Sequence, residues 1–233
     1  MHELTLDSGL LIAVLQIIVI DILLGGDNAV VIALACRKLP PDLRKRGIFW
    51  GVCGAIGLRV LLVFFALQLL SLPFVKIVGA LLLLWIGFKL LKSDDGSDHE
   101  VHASDHLFGA IRTIIVADAV MSIDNVIAVA AAAKGDITLV AFGIAISVPI
   151  IVWGSQLVLK LMDRFPVVIT IGAGLLGWIG GGMLLQDVAL QPYLSGWPSW
   201  AHYVSAALGA LLVVALGKGL SSPGPASDAD TKL

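Results

Sequence analysis

Asp21-Ile22-Leu23-Leu24-Gly25-Gly26-Asp27-Asn28 and Asp118-Ala119-Val120-Met121-Ser122-Ile123-Asp124-Asn125 decide how this chain is read. Both run Asp, five residues, then Asp-Asn, and they lie 97 positions apart. Each sits inside an apolar stretch long enough to span a bilayer, which takes about 20 residues. An Asp at the centre of a membrane helix costs about 2.5–3.5 kcal/mol. Asp21, Asp27, Asp118 and Asp124 would together cost roughly 10–14 kcal/mol if lipid-facing and unpaired. They are therefore expected to face the interior of a helix bundle, beside protons, cations or hydrogen-bond donors.

The sequence around these motifs fits that expectation. Of 233 residues, 58% are hydrophobic and only 14% charged, and the mean hydropathy is +0.99. Soluble domains carry about 25% charged residues. A transmembrane β-barrel would show alternating segments of about ten residues, not long apolar runs. The fold class expected is therefore an all-α polytopic membrane protein with seven transmembrane helices. The apolar stretches are 9–36, 47–71, 74–91, 107–133, 137–160, 166–185 and 199–217. Breaks fall at Pro40-Pro41, Ser71-Leu72-Pro73, the polar run 93–106, Lys134-Gly135-Asp136, Phe165-Pro166 and Gln191 to Pro198. The N-terminus lacks the basic region of a cleaved signal peptide, so the first stretch is expected to remain as a helix. Residues 1–220 read as one transmembrane domain, and the Ser-, Pro-, Gly- and Asp-rich tail 221–233 as disordered.

Lys and Arg set the orientation. The first loop holds Arg37, Lys38, Arg44, Lys45 and Arg46. If it is cytoplasmic, alternation places Lys89, Lys92, Arg112, Lys160, Arg164 and Lys218 inside too, leaving only Lys76 and Lys134 on outer connections. This predicts an outer N-terminus and an inner C-terminus. A second repeated stretch relates Gly79-Ala80-Leu81-Leu82-Leu83-Leu84-Trp85-Ile86-Gly87 to Gly172-Ala173-Gly174-Leu175-Leu176-Gly177-Trp178-Ile179-Gly180, at an offset of 93. Repeat one is 9–91, repeat two 107–185, joined by an acidic, His-containing linker at 92–106. Three spans per repeat means the copies cross the membrane in opposite senses. Such inverted repeats place substrate sites near the midplane, and the seventh helix stands outside them.

The motif chemistry favours a hard cation. Asp and Asn offer oxygen ligands, which suit Mg²⁺, Ca²⁺ or Mn²⁺, and no His or Cys adjoins them. Arg59 is the only basic side chain expected within the membrane, and one Arg does not neutralise four carboxylates. It either holds a carboxylate pair, snorkels or braces a helix. On an unbroken helix Asp21 shares a face with Asn28, and Asp118 with Asn125, while the second Asp of each motif points about 120° away. A break at Gly25-Gly26, or more weakly at Ser122, would change this and expose carbonyl ligands. Kinked or discontinuous helices are therefore expected at both motifs.

At these residues the sequence resembles the TerC family of integral membrane proteins, within the lysine-exporter-like transporter superfamily. The likeness rests on Gly25-Gly26-Asp27-Asn28-Ala29-Val30-Val31-Ile32-Ala33 and Ser122-Ile123-Asp124-Asn125-Val126. Leu39-Pro40-Pro41, Arg44-Lys45-Arg46 and Ile48-Phe49-Trp50-Gly51 support it, and it covers about 10–185. It looks like the short form of the family. The resemblance implies seven spans and export of metal ions, chiefly manganese, from the cytoplasm; the membrane expected is a bacterial inner membrane. It implies that Asp27, Asn28, Asp124 and Asn125 form the core of the metal pathway, with Asp21 and Asp118 at the preceding acidic positions. Gly25-Gly26 stands where many relatives have Ser-Gly, which removes one hydroxyl ligand.

The function expected is secondary, gradient-driven Mn²⁺ export through a carboxylate-lined midplane site. The metal-site residues are Asp21, Asp27, Asn28, Asp118, Asp124 and Asn125, with Gly25, Gly26, Ser122 and Arg59 in support. The alternative is a membrane scaffold that assists metal loading or assembly of other membrane or exported proteins, through 37–46 or 93–106. No nucleophile motif, P-loop or dinucleotide fingerprint is present, so neither an enzyme nor an ATP-driven pump is expected. An intramembrane hydrolase with paired Asp fits poorly, because matched motifs imply equivalent half-sites. No covalent cofactor is expected. The partners are the bilayer, a divalent cation and protons, with no nucleic acid; a homo-oligomer or a membrane partner protein is compatible with the sequence. The linker's His99, His102 and His106 with Asp94, Asp95, Asp98, Glu100 and Asp105 read as a solvated acidic segment, with weak capture of cytoplasmic metal as the alternative. Lys89 reads as a snorkelling anchor, Asp187 as solvated, and Cys36 and Cys53 as buried thiols. Trp50, Trp153, Trp178, Trp197 and Trp200 read as interface or packing residues.

Overall fold

The computed structural model describes residues 8–65, 72–92, 103–132 and 137–219. Within its helices the side chains of Asp21 and Asp124 lie outside the described set, as do the surroundings of Gly25. Among the described residues helix is the one regular secondary structure. The helices are α1 (Ser8–Cys36), α2 (Pro41–Phe64), α3 (Val75–Lys92), α4 (Ala103–Ala132), α5 (Ile137–Arg164), α6 (Val167–Leu184), the short α7 (Gln191–Leu194) and α8 (Ala201–Gly219). Five helical segments, in α2, α4, α5, α6 and α8, are long and apolar enough to cross a membrane. Residues 26–36 of α1 form a shorter apolar run. α3 has a span's length, but it also carries Lys76, Lys89 and Lys92.

The long helices follow the apolar stretches, with one instructive difference. α2 begins at Pro41, inside what reads as a Pro-Pro break. Proline at the first helical position loses no hydrogen bond and has its φ preset, and Asp42 favours the same helix end. Pro149 sits inside α5. A membrane helix tolerates such a residue where neighbours re-satisfy the freed backbone groups.

The helices pack in two groups. α1 lies against α5 and α2 against α4, with α1 and α4 in contact at the centre. α3 packs on α6, and α8 packs on both. The α6–α8 seam uses small residues. A Cβ at Gly177 would meet the Gly209 carbonyl, one at Gly181 the Ser205 carbonyl, and one at Gly209 the Gly177 carbonyl. Such glycines let membrane helices approach closely, and the Ser205 hydroxyl donates to Gly181 O at 2.6 Å across the seam. The main core joins α1, α2, α3, α4 and α6 through Leu34, Val52, Leu83, Ile114 and Leu176. The outer surface is apolar, with Phe64, Trp153, Ile171 and Leu211 all more than 60% exposed. An apolar exterior of that extent suits lipid rather than water.

Several expectations are corrected. The five tryptophans read as interface or packing residues are all exposed on the outside of the bundle. Cys53 is exposed on α2, and only Cys36 is buried. Asp187 is not solvated: it is fully buried in the connection after α6. Its carboxylate accepts backbone N–H bonds from Phe74 (2.9 Å), Lys76 (3.0 Å), Ile77 (3.3 Å) and Ala189 (2.8 Å). It thereby caps the N-terminus of α3, and it holds Phe74 at a φ of 70°, a conformation L side chains rarely adopt. Isolated sequence reading misses this because three of the four donors lie more than a hundred residues away. Burial alone would raise the Asp187 pKa, but the four backbone donors outweigh it and hold it below the ordinary 3.8.

This predicts a pH-dependent contribution to stability. Asp187→Ala should lower the unfolding free energy in detergent by about 1–3 kcal/mol, since it leaves several N–H groups unpaired. Because the folded carboxylate titrates below the unfolded one, the gap between wild type and variant should be full at pH values above 3.8. It should shrink as pH falls through the lowered folded value. A gap that does not change with pH would contradict the capping role.

Candidate metal pathway in the helix bundle

The central group of helices encloses a buried polar cluster in an apolar setting. α4 contributes Asp118 and Ser122, one turn apart on the same face. α2 contributes Arg59. All three are buried, at 7%, 0% and 6% exposure respectively. Arg59 pairs with Asp118 through Nη2 and Oδ1. Its Nε donates to Ser122 Oγ at 2.9 Å, and Ser122 Oγ donates to Asp118 Oδ2 at 3.3 Å. Ser122 thus accepts from the cation and donates to the anion, closing a three-membered network. Arg59 neither snorkels nor merely braces a helix; it holds a carboxylate.

α1 supplies the other half. Asn28 is 4% exposed. Both polar atoms of its amide, with Oδ1 of the neighbouring Asp27, are buried and have no hydrogen-bond partner among the described residues. Asp27 lies near enough to Arg59 and Asp118 to feel both charges. Arg59 neutralises Asp118, so Asp27 is left to a proton or another cation. Asn28, Arg59 and Asp118 border a cavity of about 20 Å³, walled by Val31, Val52, Ile144 and Ile151 among others. A site needs at least about 10–15 Å³ to hold one water, so this one takes a single water-sized or ion-sized species.

The structure brings Asn28, Asp118 and Arg59 to one cavity, with Ser122 bonded to the Arg59–Asp118 pair and Asp27 next to Asn28 on α1. Asn125 is half-buried, and Gly26 is exposed with open space where a Cβ would stand. Asp21, Asp124 and the surroundings of Gly25 lie outside the described residues, as does the linker from 93 to 102. Among the described residues no three His, Cys, Asp or Glu cluster as a ready metal cage. The expected helix breaks are absent: α1 runs unbroken through Gly25-Gly26 and α4 through Ser122. In a bilayer an opened turn would leave backbone groups unsatisfied, so the continuous helix is favoured. Ser122 instead spends its hydroxyl on Asp118 and Arg59. The i, i+4 spacing of Asp118 and Ser122 was the available signal. The apolar wall from α5 carries none.

Comparison with known proteins agrees with the residues. The family model described as the integral membrane protein TerC family matches residues 6–222. The uncharacterized membrane protein YjbE of Bacillus subtilis is 43% identical over 185 residues, covering 79% of this chain and 84% of that protein. YkoY of the same organism is 26% identical, covering 79% of this chain and 64% of its own length. The tellurium resistance protein TerC of Serratia marcescens is 39% identical over 70 residues, 30% of this chain and 20% of that protein. No solved structure matches.

The pair on Asp118 makes a stability prediction. Arg59→Met leaves a buried carboxylate without its cation and should cost about 3–5 kcal/mol. Arg59→Met combined with Asp118→Leu should recover most of that loss, because both charges are then gone. Chemical unfolding in detergent measures both. Additive losses would show that the two side chains do not share one network.

Proposed function

The chain belongs to the TerC family of multi-pass integral membrane proteins, and from that premise we propose that it is a secondary transporter of divalent metal ions that exports Mn²⁺ from the cytoplasm. The observation that carries the reading is the unpartnered amide of Asn28 with Asp27 Oδ1, buried beside an Asp118 held by Arg59. Buried polar atoms are normally paired, and each orphan costs about 1–3 kcal/mol. Asn28 and Asp118 border a one-ion cavity, and with Asp27 Oδ1 on the residue before Asn28 they offer hard oxygen ligands that a cation would satisfy.

The reading extends to the whole chain. The pairing of α1 with α5 and of α2 with α4 is what an exchange of two three-helix halves produces, with α3 on α6 as its own counterpart. This pairing supports inverted repeats; seven spans, an outer N-terminus and a bacterial inner membrane are part of the same proposal. On that two-fold reading Asp21 and Asp124 supply the remaining acidic ligands, and Asn125 mirrors Asn28.

Arg59 gives the site a built-in counter-cation. With no metal bound, the guanidinium satisfies Asp118. An arriving Mn²⁺ takes Asp118 and the Asn28 and Asp27 oxygens, and Arg59 withdraws as the metal's charge replaces its own. Moving a divalent ion outward costs roughly 4.6 kcal/mol per 100 mV of opposing potential, so export needs a coupled gradient. A proton released from Asp27 on metal binding and regained afterwards supplies one. Nothing in this cycle makes or breaks a covalent bond in a substrate; the activity is transport rather than catalysis.

Cells that express wild type should accumulate less Mn²⁺ than cells that express Asp27→Asn or Asp118→Asn, with export reduced at least tenfold in the variants. Full export in both variants would sink the proposal. Purified protein in liposomes should move Mn²⁺ unaided, which a loading scaffold would not.

A further inference from the structure

Arg44 stands at the start of α2, at the end of the bundle where α1 and α5 finish. Its guanidinium makes contacts with two other elements. Nε donates to Leu39 O at 2.9 Å and Nη2 to Arg37 O at 2.6 Å, which closes the turn after α1. Nη1 donates to Asp163 Oδ2 at 3.0 Å, in the last turn of α5. One side chain therefore fastens three helix ends. The two paired side chains are 27% and 55% exposed, so water screens the pair and it adds little to overall stability. A weak, solvent-facing fastening suits a contact that is made in one state and broken in another.

Beneath the pair lies an apolar plug. The central cavity bordered by Asn28 and Asp118 is walled toward this end by Val31, Ile32 and Val52. From Val52 to Arg44 is just over two turns of α2, about 12 Å. Cys36, Leu39, Ile48, Leu159 and Met162 fill that depth, all buried and in one cluster. The fit is close: a Cβ at Gly47 would stand 2.8 Å from Leu39 Cδ1 and 3.2 Å from Cys36 Sγ. An ion that reaches the cavity from this end must pass the plug. α5 supplies Leu159 and Met162, and it packs mainly on α1. Beside the pair, a cavity of about 200 Å³ bounded by Met162, Asp163 and Ile169 among others leaves the end of α5 room to move.

We propose that Arg44 and Asp163 form the inner latch of the transport path. Closed, the pair holds the end of α5 over the plug. Released, it lets Leu159 and Met162 move aside and opens the central cavity to water and ions. The latch rests on the transport reading for its purpose. Its test reads opening rather than flux, so a failed latch and a failed Mn²⁺ transport assay are separate results.

Cys36 is a native reporter, buried in the plug. The test uses the full chain in neutral detergent, with Cys53→Ala to silence the exposed thiol. The rate of Cys36 alkylation by iodoacetamide then measures opening. A second reporter is Val31→Cys, at the cavity wall, with both native cysteines changed to Ala. Asp163→Asn removes the ion pair and leaves Arg44 its two carbonyl bonds. It should speed both reporters about two- to fivefold. Asp163→Glu, which keeps the charge, should hold both near the wild-type rate. Asp187→Ala, at the opposite end of α3, should leave both rates unchanged. Unchanged rates in Asp163→Asn overturn the proposal. Acceleration of Cys36 alone overturns it too, because a frayed helix end would not reach the cavity. Equal acceleration by Asp187→Ala would mean general loosening and overturns it as well. If Asp163→Asn does not fold, salt tests the wild-type pair instead. Raising it from about 0.1 M to about 1 M shortens the screening length from ~10 Å to ~3 Å. The Cys36 rate should then rise, and a rate indifferent to salt overturns the latch.

Discussion

One buried ion pair, Arg59 with Asp118, governs how this bundle is arranged. Neither charge is tolerable alone in an apolar interior: removing one partner of such a pair leaves an uncompensated charge worth several kcal/mol. The pair therefore fixes α2 against α4, and Ser122 locks its geometry by bonding to both members. A pair of this kind contributes little net stability compared with well-packed apolar side chains. Its presence at the centre of a chain that is 58% hydrophobic points to a use beyond architecture. On α1 the opposite condition holds, with the Asn28 amide and Asp27 Oδ1 buried and without a hydrogen-bond partner among the described residues. One half of the site is satisfied internally, and the other is left wanting a partner.

The remaining helices keep that imbalance in place. α3, α6 and α8 form a tightly closed group, with backbone contact at Gly177, Gly181 and Gly209 and a cap at Asp187. Substitution at those glycines would force whole helices apart, so this group is hard to deform. The central helices are joined instead by side chains, a polar network and a small cavity. On the transport reading, a rigid group beside a bundle that repacks is a suitable division of labour, since packed interfaces switch between discrete arrangements rather than deform smoothly.

Much of this was legible in the sequence, for identifiable reasons. Helix positions followed from apolar run length, because a bilayer demands both length and continuity. The site's acidic residues stood out because carboxylates are so costly there. Arg59 was visible as a lone basic residue, but its partner was not, because Asp118 lies 59 residues away. Ser122 and Gly25-Gly26 misled, since propensity to break a helix in water says little where backbone bonds have no substitute. Asp187 misled for a related reason: an Asp at a helix end normally meets water, and only the fold brings it the α3 N-terminus. The shared Asp and Asp-Asn frame of the two motifs also concealed a chemical inequality. Gly25 stands where Ser122 would be, so the first copy lacks the hydroxyl that closes the network in the second.

The central claim is that a divalent cation replaces Arg59 at Asp118 and satisfies Asn28 and Asp27. The direct measurement is a structure of the protein with Mn²⁺, with anomalous scattering recorded at the manganese edge. The account predicts a single strong peak in the cavity bordered by Asn28 and Asp118, with the Arg59 guanidinium moved off the carboxylate. Manganese bound only outside the central bundle, with the Arg59–Asp118 pair intact, would contradict it.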